Sequence, residues 1–146
     1  MKKHYDTYMD IRTIENQLQH IAERHKEIDA LYVFGSVLFK ENPEDIDIAV
    51  LVNEKKIENS IYPTRYIGSL TSELMDGLRS DAIDLVLLNM ASPVICMQVL
   101  RKGTLVYERD RQVVVAFSMR TIGRYQDLTI MRKPIEQQIL RGRIYG

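Results

Sequence analysis

Two short apolar runs, each with acidic residues near its start, constrain this chain more than any other feature of its sequence. They are DIDIAVLV, residues 45–52, and AIDLVLL, residues 82–88, and both are rich in aliphatic residues typical of buried strands. Because side chains alternate faces along a strand, Asp45 and Asp47 project from one face, about 6.5 to 7 Å apart. Ile46 and Ile48 occupy the opposite face, so the first run predicts a strand anchored in the core that presents two carboxylates together.

The second run places a single acid, Asp84, among residues suited to burial. An ionised carboxylate in apolar surroundings is costly unless it is paired, bound to metal or protonated, and neither run contains Lys or Arg. If the two strands are neighbours, Asp84 converges on Asp45 and Asp47 in an all-oxygen site that suits Mg²⁺ or Mn²⁺. Two such ions about 3.5 to 4 Å apart would neutralise triphosphate charge. The alternative is that Asp45 merely begins a strand, Asp47 is exposed to solvent and Asp84 caps a local turn, which is reasonable for Asp45 alone and weak for the trio.

A glycine and a serine, Gly35 and Ser36, end an earlier apolar run, ALYVFGS. Glycine lets a backbone approach a phosphate closely, a serine hydroxyl can donate to a phosphate oxygen, and a following helix would present free N–H groups. Gly-Ser alone is usually an ordinary turn. Its position before the acidic strand makes it a candidate nucleotide contact.

The apolar periodicity along the chain predicts alternating helices and strands. Helical spacing covers residues 11–28 and 65–78, and Ser92 and Pro93 open a helix that ends near Gly103. Asp110 caps a last helix that runs to about Arg132, where Pro134 breaks it or starts a further short helix. The predicted strands are residues 30–36, 45–52, 82–88 and, at an edge, 104–108. The order α, β, β, α, β, α, β, α predicts an α+β fold, a small mixed sheet with helices packed on it.

Size and composition fit one domain. The 146 residues, 45% of them hydrophobic, predict a single domain over 1–146, with a core of about 28–110 and a helical segment of about 110–146. Twenty basic and twenty acidic residues give no overall field for nucleic acid or membranes, although residues 101–146 carry ten basic and four acidic side chains. Without a signal peptide or an apolar span, a cytoplasmic location is expected. Cys96 lies in an apolar run and is predicted to be buried.

Other residues suggest roles less specifically. Three histidines without informative neighbours are predicted to lie on the surface: His4, His20 and His25. Tyr62 and Tyr66 could line a base pocket, but ordinary packing is favoured. Four basic residues around the last strand could meet phosphate or an acidic partner, with solvated charges as the default: Arg101, Lys102, Arg109 and Arg111. A stripe of the last helix mixes apolar and basic residues: Val113, Phe117, Arg120, Arg124 and Leu128.

The combination FGSVLFKENPEDIDIAVLV and AIDLVLLN resembles the nucleotidyltransferase superfamily of DNA polymerase beta. The short length and the segment SPVICMQVLRKGTLVYERD resemble its MNT subgroup, the antitoxin half of HEPN/MNT toxin-antitoxin pairs. The resemblance implies a polymerase-beta-like fold in which Asp45, Asp47 and Asp84 bind two Mg²⁺ ions and perform catalysis. It also implies that Gly35 and Ser36 hold the triphosphate of ATP.

The resemblance further implies that AMP passes to a hydroxyl, a tyrosine of a HEPN-type toxin, and silences it. This sequence has eight residues between Ser36 and Asp45 where the family has about ten, and Lys40 partly substitutes for the family's basic phosphate contact. Two other functions stay open. The chain could mask its partner by contact alone, as a weak or inactive antitoxin, or it could modify a small-molecule hydroxyl such as that of an antibiotic.

Overall fold

The computed structural model describes residues 10–35 and 45–142 of the chain. Four helices and four strands alternate along it: α1 (Ile11–Arg24), β1 (Ile28–Phe34), β2 (Ile46–Val52), α2 (Thr64–Leu78), β3 (Ile83–Leu87), α3 (Pro93–Lys102), β4 (Thr104–Glu108) and α4 (Arg111–Gly142). The strands form one sheet in the order β3-β2-β1-β4. β2 runs antiparallel to β1 and parallel to β3, and β4 is an antiparallel edge strand. The predicted α+β class and mixed sheet are confirmed.

Helices cover both faces of the sheet, so β2 is buried on each side. Ile48, Val50 and Val52 belong to one core cluster, which includes the apolar stripes of α1 and α2. The alternate residues Ala49 and Leu51 belong to a second cluster, formed with α3 and α4. A strand buried on both faces reads as a continuous apolar run. The acidic start of β2 is therefore the only break in an otherwise apolar strand.

Helix termini follow the predicted capping chemistry at two places. The Ser92 hydroxyl accepts a hydrogen bond from Ile95 N at 3.2 Å, with Pro93 in the first turn of α3. Asp110 Oδ1 accepts one from Gln112 N at 2.9 Å and starts α4. Both caps were predicted.

Two predicted helix ends were wrong. α1 stops at Arg24 rather than near Ile28, because Ile28 pairs with Val52 in the sheet. Helix α4 continues through Pro134 to Gly142. Proline removes the hydrogen bond to the carbonyl of Ile130, but residues 131–138 are exposed and that carbonyl can face solvent. In the described chain, no helix is long and apolar enough to cross a bilayer.

Candidate active site

The sheet topology brings the end of β1 and the starts of β2 and β3 together at one end of the sheet. Phe34 pairs with Asp47, and Asp47 pairs with Asp84 on the parallel strand β3. Neighbouring strands lie about 4.8 Å apart, so the two aspartates stand side by side. We call this region the acidic edge and define it by Gly35, Asp45, Asp47 and Asp84.

The carboxylates share the face of the sheet that α3 and α4 cover. Asp47 lies two residues before Ala49, and Asp84 lies two before Val86, and both apolar residues pack into the second core cluster. Asp47 is half-buried, whereas Asp84 is exposed. Sequence reasoning expected Asp84 to lie in apolar surroundings, but β3 is an edge strand and leaves its side chain in solvent.

Asp45 stands one residue outside the strand to which it was assigned. The strand begins at Ile46, whose N–H donates to the carbonyl of Ala82 at 2.8 Å, and Asp45 is exposed just before it. Its charge still reaches Asp47. The structure thus brings all three predicted acids to the same edge, with Asp47 in the middle.

The electrostatics of this edge are repulsive. Burial raises the pKa of Asp47 above its usual value, and the like charges of Asp84 and Asp45 raise the pKa further. Each cause disfavours the carboxylate form. A cation bound at the edge would reverse the like-charge contribution, because it would attract all three groups.

Gly35 presses its backbone directly against the central carboxylate. Its φ of 78° lies in the left-handed region that favours glycine, and a Cβ at this position would overlap Asp47 Oδ2. Glycine is therefore required twice here, by backbone conformation and by space. Ser36 and Lys40, the other predicted nucleotide contacts, lie outside the described residues.

The donor set fits a hard divalent cation, since it consists of carboxylate oxygens. Over residues 10–35 and 45–142, however, no three His, Cys, Asp or Glu side chains are grouped closely enough to hold a metal ion as they lie. Asp45 and Asp84 are exposed and have room to rotate toward Asp47. The acidic edge thus carries suitable ligands for a cation, but their side chains are not grouped around one point.

Several secondary candidates have structural roles instead. The ring of Tyr66 is buried on the sheet face opposite the acids, and its hydroxyl donates to Glu27 Oε1 at 3.2 Å, so the favoured packing role is correct. Arg109 donates to the carbonyls of Ala22, His25 and Ile28 at 3.1, 2.9 and 3.1 Å. Arg111 pairs with Glu108 at 3.0 Å. None of these three side chains belongs to the acidic edge.

Sequence reasoning was wrong about His25 and right about Cys96. The imidazole of His25 is half-buried between Glu27 Oε1 at 2.9 Å and Glu73 Oε2 at 2.6 Å. Glu73 is 48 residues away in sequence, so no local spacing could reveal the contact. Cys96 is buried as predicted, and burial raises the pKa of its thiol. His20 is exposed, and His4 is not among the described residues.

Comparison with known proteins identifies the family. The family model for polymerase beta nucleotidyltransferases matches residues 16–112. The chain is 32% identical to protein adenylyltransferase MntA of Shewanella oneidensis over 77% of each chain.

Solved structures agree with this match. One is the tri-AMPylated Shewanella oneidensis HEPN toxin in complex with MNT antitoxin, with a TM-score of 0.65, 28% identity, and 90% of this chain and 99% of that chain covered. Another is a toxin-antitoxin complex with AMP-PNP, with a TM-score of 0.67, 30% identity, and coverage of 86% and 98%. The predicted resemblance is confirmed, and the chain belongs to the polymerase beta nucleotidyltransferase family.

Proposed function

We propose that this chain is a protein adenylyltransferase that moves AMP from ATP to a hydroxyl of a HEPN-type toxin and thereby acts as its antitoxin. The observation that carries the proposal is the pairing of Asp47 with Asp84 beside the Gly35 turn. The name of the Shewanella relative supports adenylyl transfer. The AMP-PNP complex supports ATP as donor, and the AMPylated toxin complex supports a HEPN acceptor.

In this proposal Asp47, which stands between the other two acids, would hold two Mg²⁺ ions together with Asp45 and Asp84. Mn²⁺ would fit the same oxygen ligands. When bound, the two cations would neutralise the triphosphate and align the attacking and leaving oxygens.

The chain's own residues supply positioning and proton transfer. Gly35 keeps its side of the edge open, so that the triphosphate can approach Asp47 without a side chain between them. We assign Ser36 and Lys40 to the triphosphate as well. The acceptor oxygen forms a bond to the α-phosphorus, the bond from that phosphorus to the bridging oxygen breaks, and pyrophosphate leaves. Asp84, exposed at the strand edge, is placed to receive the proton of the acceptor hydroxyl.

Repulsion among the carboxylates of the acidic edge favours a role in cation binding over a purely structural role. Burial and the like charges of Asp84 and Asp45 raise the pKa of Asp47, so its ionised form is unfavourable in the folded protein. A bound cation relieves that repulsion. The like charges at this edge therefore favour cation binding.

The test is transfer of label from ATP to the partner. Purified chain, Mg²⁺, α-labelled ATP and a HEPN-type toxin should yield labelled toxin, and Asp47→Asn should abolish the labelling. Asp76→Asn is the matched control, because Asp76 is an exposed acid on α2. Labelling that survives Asp47→Asn would remove the acidic edge from the reaction.

The same experiment separates catalysis from masking by contact. The second candidate is a weak or inactive antitoxin that covers its partner, and the observation that favours it is the short spacing of eight residues between Ser36 and Asp45. Under masking, Asp45→Asn combined with Asp47→Asn would still neutralise the toxin in cells. Under the proposed function, the double variant binds the partner but fails to neutralise it.

A further inference from the structure

A cavity of about 220 Å³ lies far from the acidic edge, between α4, the start of α3 and the end of β2. It reaches Leu51 on β2, four residues beyond Asp47, which corresponds to about 13 Å along the strand. It opens on the same face of the sheet but at the opposite end. The nucleotidyl transfer proposed above uses none of its residues.

One wall of the cavity is basic. Arg120 and Arg124 stand four residues apart on α4, so they project from the same side of the helix toward the cavity. Neither guanidinium forms an ion pair with any side chain that the structure describes. Like charges at this spacing repel each other, and a bound anion would relieve the repulsion.

The remaining walls would select what the arginines bind. Thr121 is buried and lines the cavity, and among the described residues its hydroxyl makes no hydrogen bond, whereas Ser118 and Thr129 each donate to a helix carbonyl. The floor is apolar, with Leu51, Leu88 and Phe117.

One carboxylate also lines the cavity, so its net charge is positive but smaller than that of the two arginines alone. Glu54 accepts a hydrogen bond from Asn89 at 3.2 Å and forms no ion pair with Arg120 or Arg124. Arg124 lies close enough to the buried Cys96 thiol that its charge opposes the rise in the pKa of that thiol. Arg120 and Arg124 are both exposed, so the basic wall of the cavity is open to solvent.

We propose that this cavity binds a small phosphate monoester. Arg120 and Arg124 hold the phosphate, whose dianion matches two guanidinium charges and whose oxygens suit the guanidinium fork. Thr121 donates to a third oxygen, and the apolar floor takes the organic part of the ester. The volume is below the roughly 300 Å³ of the smallest typical drug-sized pockets, so the ligand is compact, about the size of phenyl phosphate.

Calorimetric titration of the full chain with phenyl phosphate tests this site. EDTA is present, so that no divalent cation recruits the ligand to the acidic edge. Wild type should bind, and Arg120→Gln or Arg124→Gln should each weaken binding about tenfold or more, as expected for a lost charged hydrogen bond. Arg132→Gln, on an exposed stretch of the same helix, should bind as wild type does.

Two further titrations show whether binding needs the phosphate group and whether it occurs at this cavity. Phenol, which lacks the phosphate, should bind far more weakly than phenyl phosphate. Asp47→Asn should leave phenyl phosphate binding unchanged, which separates this cavity from the nucleotide site. Circular dichroism confirms that each variant is folded. Equal affinity of wild type and both cavity variants, or no binding by folded wild type at millimolar ligand, would overturn the proposal.

Discussion

The acidic edge and the corner where α1 meets β1 treat their charges in opposite ways. At the corner, defined by His25, Glu27, Glu73 and Arg109, each charged group faces a partner. The imidazole lies between two carboxylates, and the guanidinium donates to three carbonyls. At the acidic edge, carboxylates face one another. The charged groups of the corner find their partners within the chain, whereas the carboxylates of the acidic edge need a cation from outside it.

This difference separates structural charge from functional charge. Glu27 has a side chain only 15% exposed and would be costly to bury alone, but His25 and Tyr66 donate to it. Asp47 is half-buried with acids as its charged neighbours. Changes at the corner should therefore reduce stability and spare activity. Removal of a charge at the edge should reduce activity without reducing stability.

Gly35→Ala should have the largest effect among the changes that leave every carboxylate of the acidic edge in place. The backbone at Gly35 is left-handed, a conformation that residues with a side chain rarely adopt. The added methyl group also overlaps the Asp47 carboxylate, so the carboxylate must move. A misplacement of about 1 Å at a reacting centre costs about a hundredfold in rate, and we expect a loss of kcat of that order. Gly68→Ala is the control, because a methyl group there meets nothing within 4 Å. Equal activity of the two variants would contradict the geometry of the edge.

Arg109→Ala should cause the largest loss of stability at the corner. The side chain donates to the last carbonyls of α1 and to the start of β1, and its loss should lower the free energy of unfolding by about 2 to 3 kcal/mol. Arg111→Ala breaks a surface ion pair and should change it by less than about 1 kcal/mol. Urea unfolding measures both. AMP transfer by each folded variant should match wild type, and a selective loss of transfer in Arg109→Ala would move that residue into the site.

Asp47→Asn should stabilise the protein while it removes activity. The pKa of Asp47 is raised in the folded state, so the folded protein holds this proton more tightly than the unfolded chain does. The contribution of Asp47 to stability therefore falls as pH rises from the usual pKa of 3.8 through the raised value, and it stays unfavourable at neutral pH.

Asparagine removes that penalty, and solvent screening keeps the gain below about 1 kcal/mol. Urea unfolding at neutral pH without metal should show the variant to be the more stable protein. At a pH below 3.8 the difference should vanish. A variant that is less stable at neutral pH would mean that the acids are not repelling one another.

Two tyrosines should give the smallest effects and still differ. Burial raises the pKa of Tyr32 to about 12, with a further contribution from Glu108, and its hydroxyl has no hydrogen-bond partner. Tyr32→Phe should leave the free energy of unfolding within about 0.5 kcal/mol of wild type or raise it. Tyr66→Phe loses the hydrogen bond to Glu27 and should lower it by about 1 kcal/mol. The reverse order would show that the corner is not completed by its internal contacts.

Local sequence patterns predicted most of the fold. β-Branched runs identified the strands, and Ser92 and Asp110 identified two helix starts, because these signals act within a few residues. The errors came from distant partners. α1 ends early because Ile28 pairs with Val52, and α4 passes Pro134 because that stretch is exposed.

The site shows the same contrast between local signals, which the sequence carries, and distant contacts, which it does not. The alternation of side chains along a strand predicted that Asp45 and Asp47 stand together, and an apolar run carrying a single acid singled out Asp84. The pairing of Asp47 with Asp84 depends on strand register, which the sequence does not state. Contacts between distant side chains outside the strands could not be predicted, as the bond between His25 and Glu73 demonstrates.

Cation binding tests the central claim most directly. Electron paramagnetic resonance can follow free Mn²⁺ as wild type, Asp47→Asn and Asp76→Asn are added in the presence of a non-hydrolysable ATP analogue. We predict that wild type and Asp76→Asn bind Mn²⁺ alike and that Asp47→Asn binds it at least about tenfold more weakly, as expected when a charged ligand is lost. Equal Mn²⁺ binding by all three proteins would show that the acidic edge is not where the cation binds.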